Sequence, residues 1–481
     1  PQDRKGFIRR RVFPDRLSGS EAINYSHVLG VLLRKSLIYV STRWPWPPQS
    51  GREFMIAQVI KALWVDYDIT YIYIGNKEFL EIPDCISATI RLPLPSMPRV
   101  VLNFLSHCGH PFQEMLFYSP RNKKKIENLI RLIRPQFLIC DMIRTASYAS
   151  ARGASAENGV LVGCDMDDLL SRRYTQLQNT ARKVDFFGTY DRDAFWSLLE
   201  KVLAPTRDWV LRQEAWRMAR RELEVGRTFD FVYLVSKHEA KLLRDKCREG
   251  SITHFSPAIE INDIQPRDAA ANCNIAPWSS CLRVGFIGDM RTSVNQNAVL
   301  FILDTLHPKM GARDFDLVIA GRAPDFLTER LKAPNIRYIG FVERVDDFYD
   351  SVDVLLAPYQ SGTGIKIKII EAMARGAVVL TNIIGVEGLD TRADADILIA
   401  DTVSDYLDAL ERARSPQFRF EISRNARAYV EANHSLKSEA GGLLDFLARL
   451  RRNFGHETPP VDKVLPPPGG VRPNSAMAAE P

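Results

Sequence analysis

The chain has 481 residues and a mass of 54.6 kDa, too long for one hydrophobic core, so two domains are expected. A hydrophobic fraction of 46% with 25% charged residues excludes a largely disordered or fibrous protein. The formal charge of +6, from 64 basic and 58 acidic residues, is too diffuse to indicate nucleic acid but permits an acidic ligand or a membrane surface.

Residues 1–35 begin with a basic stretch (Arg4, Lys5, Arg9, Arg10, Arg11) that no apolar signal-peptide core follows, and they read as a flexible arm. Ser36 to Ser41 is a short apolar strand, and the prolines of RWPWPPQSGREF then keep the chain irregular. Met55, Ile56, Val59, Ile60 and Leu63 recur at helical spacing. Further strands are expected at Asp68 to Ile74, Gln136 to Cys140, Val160 to Cys164 and Phe231 to Val235, with a helix over Lys124 to Ile133. Doubly buried apolar runs alternating with helices indicate a parallel sheet, so residues 36–265 form one α/β domain. His107-Cys108-Gly109-His110 lacks a second ligand pair and reads as a loop before Pro111. The seven cysteines are scattered, never spaced Cys-x-x-Cys, and read as buried thiols of a reducing compartment. Residues 266–281 are the linker. The α/β rhythm then restarts at Leu282 to Ile287 and continues through Phe315 to Ala320, Ile336 to Ile339, Val352 to Leu356, Ala377 to Thr381 and Ile397 to Ala400, giving a second domain over 282–415. Residues 416–452 are helical, and the Pro/Gly-rich tail 453–481 is expected to be disordered. No stretch approaches the ~18–20 uncharged apolar residues of a membrane span.

The most informative segment is DVLLAPYQSGTGIKIKIIEAMARGAVVLTNIIGVEGL, from Asp353 to Leu389. A strand enters the small-residue turn Ser361-Gly362-Thr363-Gly364, and a helix carrying Lys366, Lys368 and Glu371 starts near Ile365. Glycines admit a ligand to the backbone, and free amides at a helix start favour phosphate oxygens. Lysines in the first turn oppose the helix dipole, which suggests a negative ligand. A carboxylate two turns in suits a pair of sugar hydroxyls.

This string resembles the donor-binding signature of the retaining glycosyltransferases of family 4, and within it a branch reading Gly-Thr-Gly-x-x-x-Lys-x-x-Glu-Ala that is associated with exopolysaccharide sugar transferases. The resemblance implies the α/β GT-B architecture, two facing Rossmann-like domains with a cleft between them. It makes Glu371 the second glutamate of a Glu-x7-Glu motif, a donor-ribose ligand, whereas Thr363 stands where the first would be. It places Gly288 and Arg291 of RVGFIGDMRTSVNQNAV at the diphosphate, with Lys368 substituting for a cation missing from Val294 to Val299. Gly321, Arg322 and the Val342 backbone fall at the nucleobase. On the acceptor side, Gly51 allows close approach, Trp44 and Trp46 offer faces for a sugar ring, and Arg144, Tyr148, Asp165 and Asp168 match the branch's pattern. Asp165 and Asp167 invite a metal reading, but they sit in the wrong domain for the donor, so no metal is assigned. Residues 416–452 are expected to pack back on the N-terminal domain.

The resemblance thus implies transfer of a sugar from a nucleotide-diphosphate sugar, a co-substrate with no further cofactor, to a saccharide or polyprenyl-linked saccharide acceptor, with retention of configuration. Lys368, Arg291 and the amides of Gly362 to Gly364 would stabilise the leaving diphosphate, and Asp141 is the nearest titratable group where many members carry histidine. The expected setting is cytoplasmic, peripheral on the inner face of a membrane. Trp209, Val210, Leu211, Trp216 and Met218 lie among Arg207, Arg212, Arg217, Arg220 and Arg221 in a helical stretch suited to anionic lipid. The missing glutamate at Thr363 favours a competing reading, an inactive nucleotide-binding scaffold. A dinucleotide-dependent enzyme would need Gly-x-Gly-x-x-Gly after the first strand, which SLIYVSTRWPWPP and VGFIGDMRTSVN do not provide.

Overall fold

The computed structural model describes residues 11–12, 35–48, 50–76, 82–107, 109–149, 159–178, 207–247, 251–259, 281–311, 315–362 and 364–453. The expected arm, linker and tail fall almost wholly outside these residues, as does Thr363.

The N-terminal half alternates strands and helices: β1 (Arg11–Val12), β2 (Ser36–Ser41), α1 (Gly51–Trp64), β3 (Asp68–Ile74), β4 (Ala88–Leu92), α2 (Met97–Ser106), α3 (Phe112–Phe117), α4 (Pro120–Ile133), β5 (Phe137–Asp141), β6 (Leu161–Asp167), α5 (Leu170–Gln178), α6 (Arg207–Thr228), β7 (Phe231–Leu234), α7 (Lys237–Lys246) and β8 (Ser251–His254). The strands form one parallel sheet in the order β1-β4-β3-β2-β5-β6-β7-β8. Alternate residues feed two cores: Ile38, Val40, Leu138 and Cys140 on one face, Leu37, Tyr39, Phe137 and Ile139 on the other.

The C-terminal half repeats the plan with β9 (Leu282–Ile287), α8 (Ser293–Phe301), β10 (Phe315–Ala320), α9 (Asp325–Arg330), β11 (Ile336–Gly340), α10 (Val345–Asp350), β12 (Val354–Ala357), α11 (Ile367–Ala374), β13 (Val378–Thr381), β14 (Leu398–Ile399) and α12 (Val403–Arg412). Its parallel sheet runs β11-β10-β9-β12-β13-β14. In both sheets the first long strand neighbours strands on opposite sides of the chain order, so β2/β5 and β9/β12 are switch points, where open α/β sheets bind ligands.

The stretch 416–452, expected to be helical, is two helices, α13 (Pro416–Asn433) and α14 (Leu436–Asn453), parted at His434, whose carbonyl accepts from Ile259 N at 2.8 Å. Leu443, Leu447 and Leu450 of α14 join the N-terminal core beside α1. The halves also meet through Ile365 and Ile367, which pack on that same core. Arg172 of α5 pairs with Glu387 at 3.2 Å.

Candidate functional site

The glycines that follow β9 and β10 are closely packed, and backbone contact forces the second. A Cβ on Gly288 would meet Lys368 Nζ and Asn295, and one on Gly321, whose φ is +122°, would collide with the Gly288 carbonyl oxygen. Lys368 on α11 therefore lies directly over the β9 turn. Its Nζ donates to the Ile287 carbonyl and to Asn295 Oδ1, both at 2.7 Å, and sits 4.7 Å from the Phe286 ring centre. Burial pushes its pKa down to about 7, against the attraction of Glu371 and Asp289. A lysine in this setting gains most from an incoming anion.

The sequence places the α11 start near Ile365, but the helix begins at Ile367 with Lys366 as its cap. The reason is the side chain: Lys366 Nζ turns back to donate to the Gly364 carbonyl at 2.6 Å and the Gly362 carbonyl at 3.3 Å. Gly362 and Gly364 hold φ of +119° and +73°, conformations that suit glycine. Lys366 thus shapes the loop that Ser361 opens, and burial lowers its pKa to about 8. Glu371 lies one turn beyond Lys368, part-buried, and among the described residues no hydrogen bond holds its carboxylate. Burial raises its pKa, opposed by Arg375 and Lys368. Arg291 does not reach inward: its guanidinium is forked onto Asp289, with Nε–Oδ1 at 2.9 Å and Nη2–Oδ2 at 2.6 Å. Arg322 stacks 4.4 Å from the centre of the Phe341 ring, next to Val342. Asn295, which the sequence reading passed over as uncharged, is the α8 residue that meets Lys368.

On the opposite side Gly51 opens α1, and a Cβ there would sit 3.4 Å from Ile367 Cδ1 of the other half. The next residue, Arg52, organises the β-strand ends. Its Nε donates to Asp141 at 3.0 Å and Nη1 to Asp167 at 3.1 Å, while Nη2 pairs with Asp165 at 3.0 Å. Ser41 Oγ donates to the other Asp141 oxygen at 2.5 Å, and Tyr39 to Asp165 at 2.7 Å. Asp141 and Asp165, expected as a catalytic replacement and an acceptor ligand, are therefore fully buried partners of one arginine. Burial raises the pKa of Asp165 and brings Asp167 up to about 6. Tyr148 is buried too, donating to the Phe117 carbonyl at 2.5 Å and accepting from Ser119 N at 3.0 Å. Burial takes Arg144 down to about 9, with Arg43 adding repulsion. Asp168 accepts from Arg173 at 2.5 Å. Trp44 is 7% exposed and meets Trp46 and Tyr71 edge-on at 5.3 and 5.6 Å, so its faces serve the loop's own packing. Trp46 is the more open of the two.

Among the described residues no three of His, Cys, Asp and Glu are grouped to hold a metal ion, and no helix is long and apolar enough to cross a membrane.

Residues 281–415 match the family model for glycosyl transferases group 1. Over 88% of this chain and 100% of the other, the structure superposes on sucrose-phosphate synthase from Thermosynechococcus elongatus with a TM-score of 0.61 at 14% identity. The fold is GT-B. The GT-B chain HepE of Anabaena, in complex with UDP and glucose, aligns with a TM-score of 0.53 at 10% identity over 86% of this chain and 100% of its own. In sequence, an uncharacterized 44.6 kDa protein in the cps region of Klebsiella pneumoniae is 26% identical over 178 residues, which is 34% of this chain. That match takes in 44% of the relative's length.

Proposed function

We propose that the chain transfers a sugar from a nucleotide-diphosphate sugar to a saccharide or polyprenyl-linked saccharide acceptor, with retention of configuration, in bacterial surface polysaccharide synthesis. The family model over 281–415 supports glycosyl transfer, and the UDP complex of a GT-B neighbour supports the donor class. The relative named for the cps region supports the setting. The observation that carries the reading is the floor of the C-terminal site: part-buried Lys368 over the Gly288 turn, with the Glu371 carboxylate one turn beyond it.

The diphosphate would lie against Gly288, Lys368 and the loop amides from Gly362 to Gly364, and Glu371 would accept from the ribose hydroxyls. Lys368 would stabilise charge as the diphosphate leaves, and the departing phosphate oxygen would take the acceptor proton. Arg291 would contribute by exchanging Asp289 for phosphate. Asp141 would act as a positioning residue, because its oxygens already hold Arg52 and Ser41. Lys368 and the amides provide the positive charge, so the reading requires no metal.

The test is turnover of a panel of nucleotide sugars in EDTA. Wild type should transfer, or slowly hydrolyse, one donor; Glu371→Ala and Lys368→Met should each lose about 10²–10³-fold while remaining folded. Unchanged turnover in Glu371→Ala removes the motif from the mechanism. Donor binding without turnover of any donor establishes the scaffold reading instead.

Attachment to a membrane surface is part of the same proposal, on a different helix from the one the sequence favours. In α6, Val210, Leu211 and Met218 are buried and Arg221 is paired with Glu114 at 2.8 Å, so the apolar set divides. Among the described residues, a continuous exposed apolar face belongs to α2.

A further inference from the structure

Between α5 and α6 lies an open depression of about 520 Å³, within the size range of small-ligand sites. Its cause is local. Ser171 pins the two helices by donating through N and Oγ to Glu222 at 2.9 and 2.6 Å, while Ala215 and Ala219 leave the α6 wall low. Arg172 and Thr175 of α5 and Arg212 and Trp216 of α6 complete the lining, in which no described residue is acidic.

We propose that this depression is an acceptor subsite for an acidic saccharide, one bearing a carboxylate or a phosphate. The inference rests on the glycosyl-transfer reading and names the acceptor class. Position supports it first. α5 starts just after β6, at the strand ends where the cleft lies, and Arg172 bridges Glu239 at 3.0 Å and Glu387 of the C-terminal domain at 3.2 Å. The depression therefore runs outward from the contact between the domains.

Chemistry supports it independently. Arg212 is exposed, its Nε donates to the Asp208 carbonyl at 3.2 Å, and among the described residues no carboxylate pairs with it. A guanidinium held beside a concave wall binds carboxylate or phosphate through paired hydrogen bonds. Trp216 is 54% exposed, a large indole left at the rim. Arg220 lies 4.8 Å from its ring centre, adding a third cation and restricting the ring. A flat aromatic beside arginines suits a pyranose that presents C–H bonds to the ring and an anionic substituent to the guanidinium. An acidic acceptor would also draw on Arg172, which a neutral one would leave to Glu239 and Glu387.

The test uses the full chain labelled with 5-fluorotryptophan, in which the Trp216 resonance among the seven is the one missing from Trp216→Phe. Methyl glucuronide, glucose 1-phosphate and neutral methyl glucoside are titrated in turn, and UDP, GDP, ADP, dTDP and CMP are tested on unlabelled wild type by thermal shift. The expected result is a saturable shift of the Trp216 signal with the glucuronide or the phosphate, the stronger of the two identifying the anion, and none with the glucoside. Arg212→Gln should weaken it about tenfold, as for loss of a charged hydrogen bond. No shift, an equal shift with the neutral glycoside, or an unchanged response in Arg212→Gln overturns the subsite. Stabilisation by any of these nucleotides with a silent Trp216 sinks the subsite alone; absence of a response to all of them sinks the glycosyl-transfer reading.

Discussion

Lys368 is the residue on which the donor reading turns, and its environment makes that reading depend on pH. With a pKa lowered to about 7, it is mostly charged at pH 6 and mostly neutral at pH 8. A nucleotide-diphosphate sugar has no proton to lose over that range, so its affinity reports the site's lysines, Lys368 first and Lys366, lowered to about 8, toward the upper end. Only the charged form attracts the diphosphate; affinity is therefore highest below pH 7 and falls as pH rises, by about tenfold between pH 6 and 8. Isothermal titration at several pH values measures this, and Lys368→Arg should flatten the profile, since a guanidinium stays charged throughout. A wild-type profile as flat as the variant's would mean that Lys368 stays charged across the range or that the diphosphate does not meet it. Lys368 was legible because it breaks a local preference, a cation in a first helical turn. Arg52 was not. It reads as one more residue of a proline-rich loop, and its partners Asp141 and Asp167 lie 89 and 115 residues further on, brought together only by the order of the strands.

Among the elements, strands buried on both faces were readable as apolar runs, and the resulting pair of parallel sheets agrees with the expected architecture. β4 and β8 escaped because ATIRL and SITH carry polar residues, as strands near a sheet edge do. Proline at the first position of α4, with Ser119 as its cap, marks a start four residues ahead of the expected Lys124, a signal present in the sequence but unused. The pin between α5 and α6 had no sequence signature, and it leads to a stability prediction. Glu222 is 3% exposed, and burial raises its pKa to about 7 from the ordinary 4.5. Because the folded value is the higher one, this carboxyl's contribution is complete below pH 4.5 and disappears as pH rises through about 7. Urea unfolding between pH 5 and 8 should show wild type losing about 1–3 kcal/mol through this group, and Glu222→Gln should reduce the slope. Glu214, also raised to about 7, and Glu239, raised to about 8, keep part of the decline in the variant. Identical slopes would mean that Glu222 remains charged across the range.

At the scale of the whole molecule, the described residues of the GT-B halves leave a conspicuous apolar surface uncovered on the N-terminal domain. Along α2, Met97, Val101, Leu102 and Leu105 are 41, 55, 49 and 71% exposed, while Val100 and Asn103 turn inward. Asn103 Nδ2 donates to the Tyr118 carbonyl at 2.8 Å, and Asn122 Nδ2 to the Pro93 carbonyl at 2.8 Å, so the start of α4 is knitted to both flanks of α2. That start carries Arg121, Lys123, Lys124 and Lys125 with no acid in its first turn, contrary to the helix dipole. An apolar helix face bordered by uncompensated cations fits an anionic bilayer, with side chains among the acyl chains and lysines at the headgroups. Cosedimentation with phosphatidylglycerol-containing vesicles should therefore show binding that Val101→Glu with Leu105→Glu abolishes. Lys124→Glu with Lys125→Glu should weaken it at least about thirtyfold at low salt, near 1 kcal/mol per cation, and less as the Debye length contracts. Arg217→Glu with Arg220→Glu should matter less, because Arg217 is occupied 4.5 Å over the Phe112 ring and Arg220 over Trp216. If the α2 pair cosediments like wild type while the α6 pair does not, the attachment surface is α6 after all. If no variant differs from wild type, neither helix meets lipid.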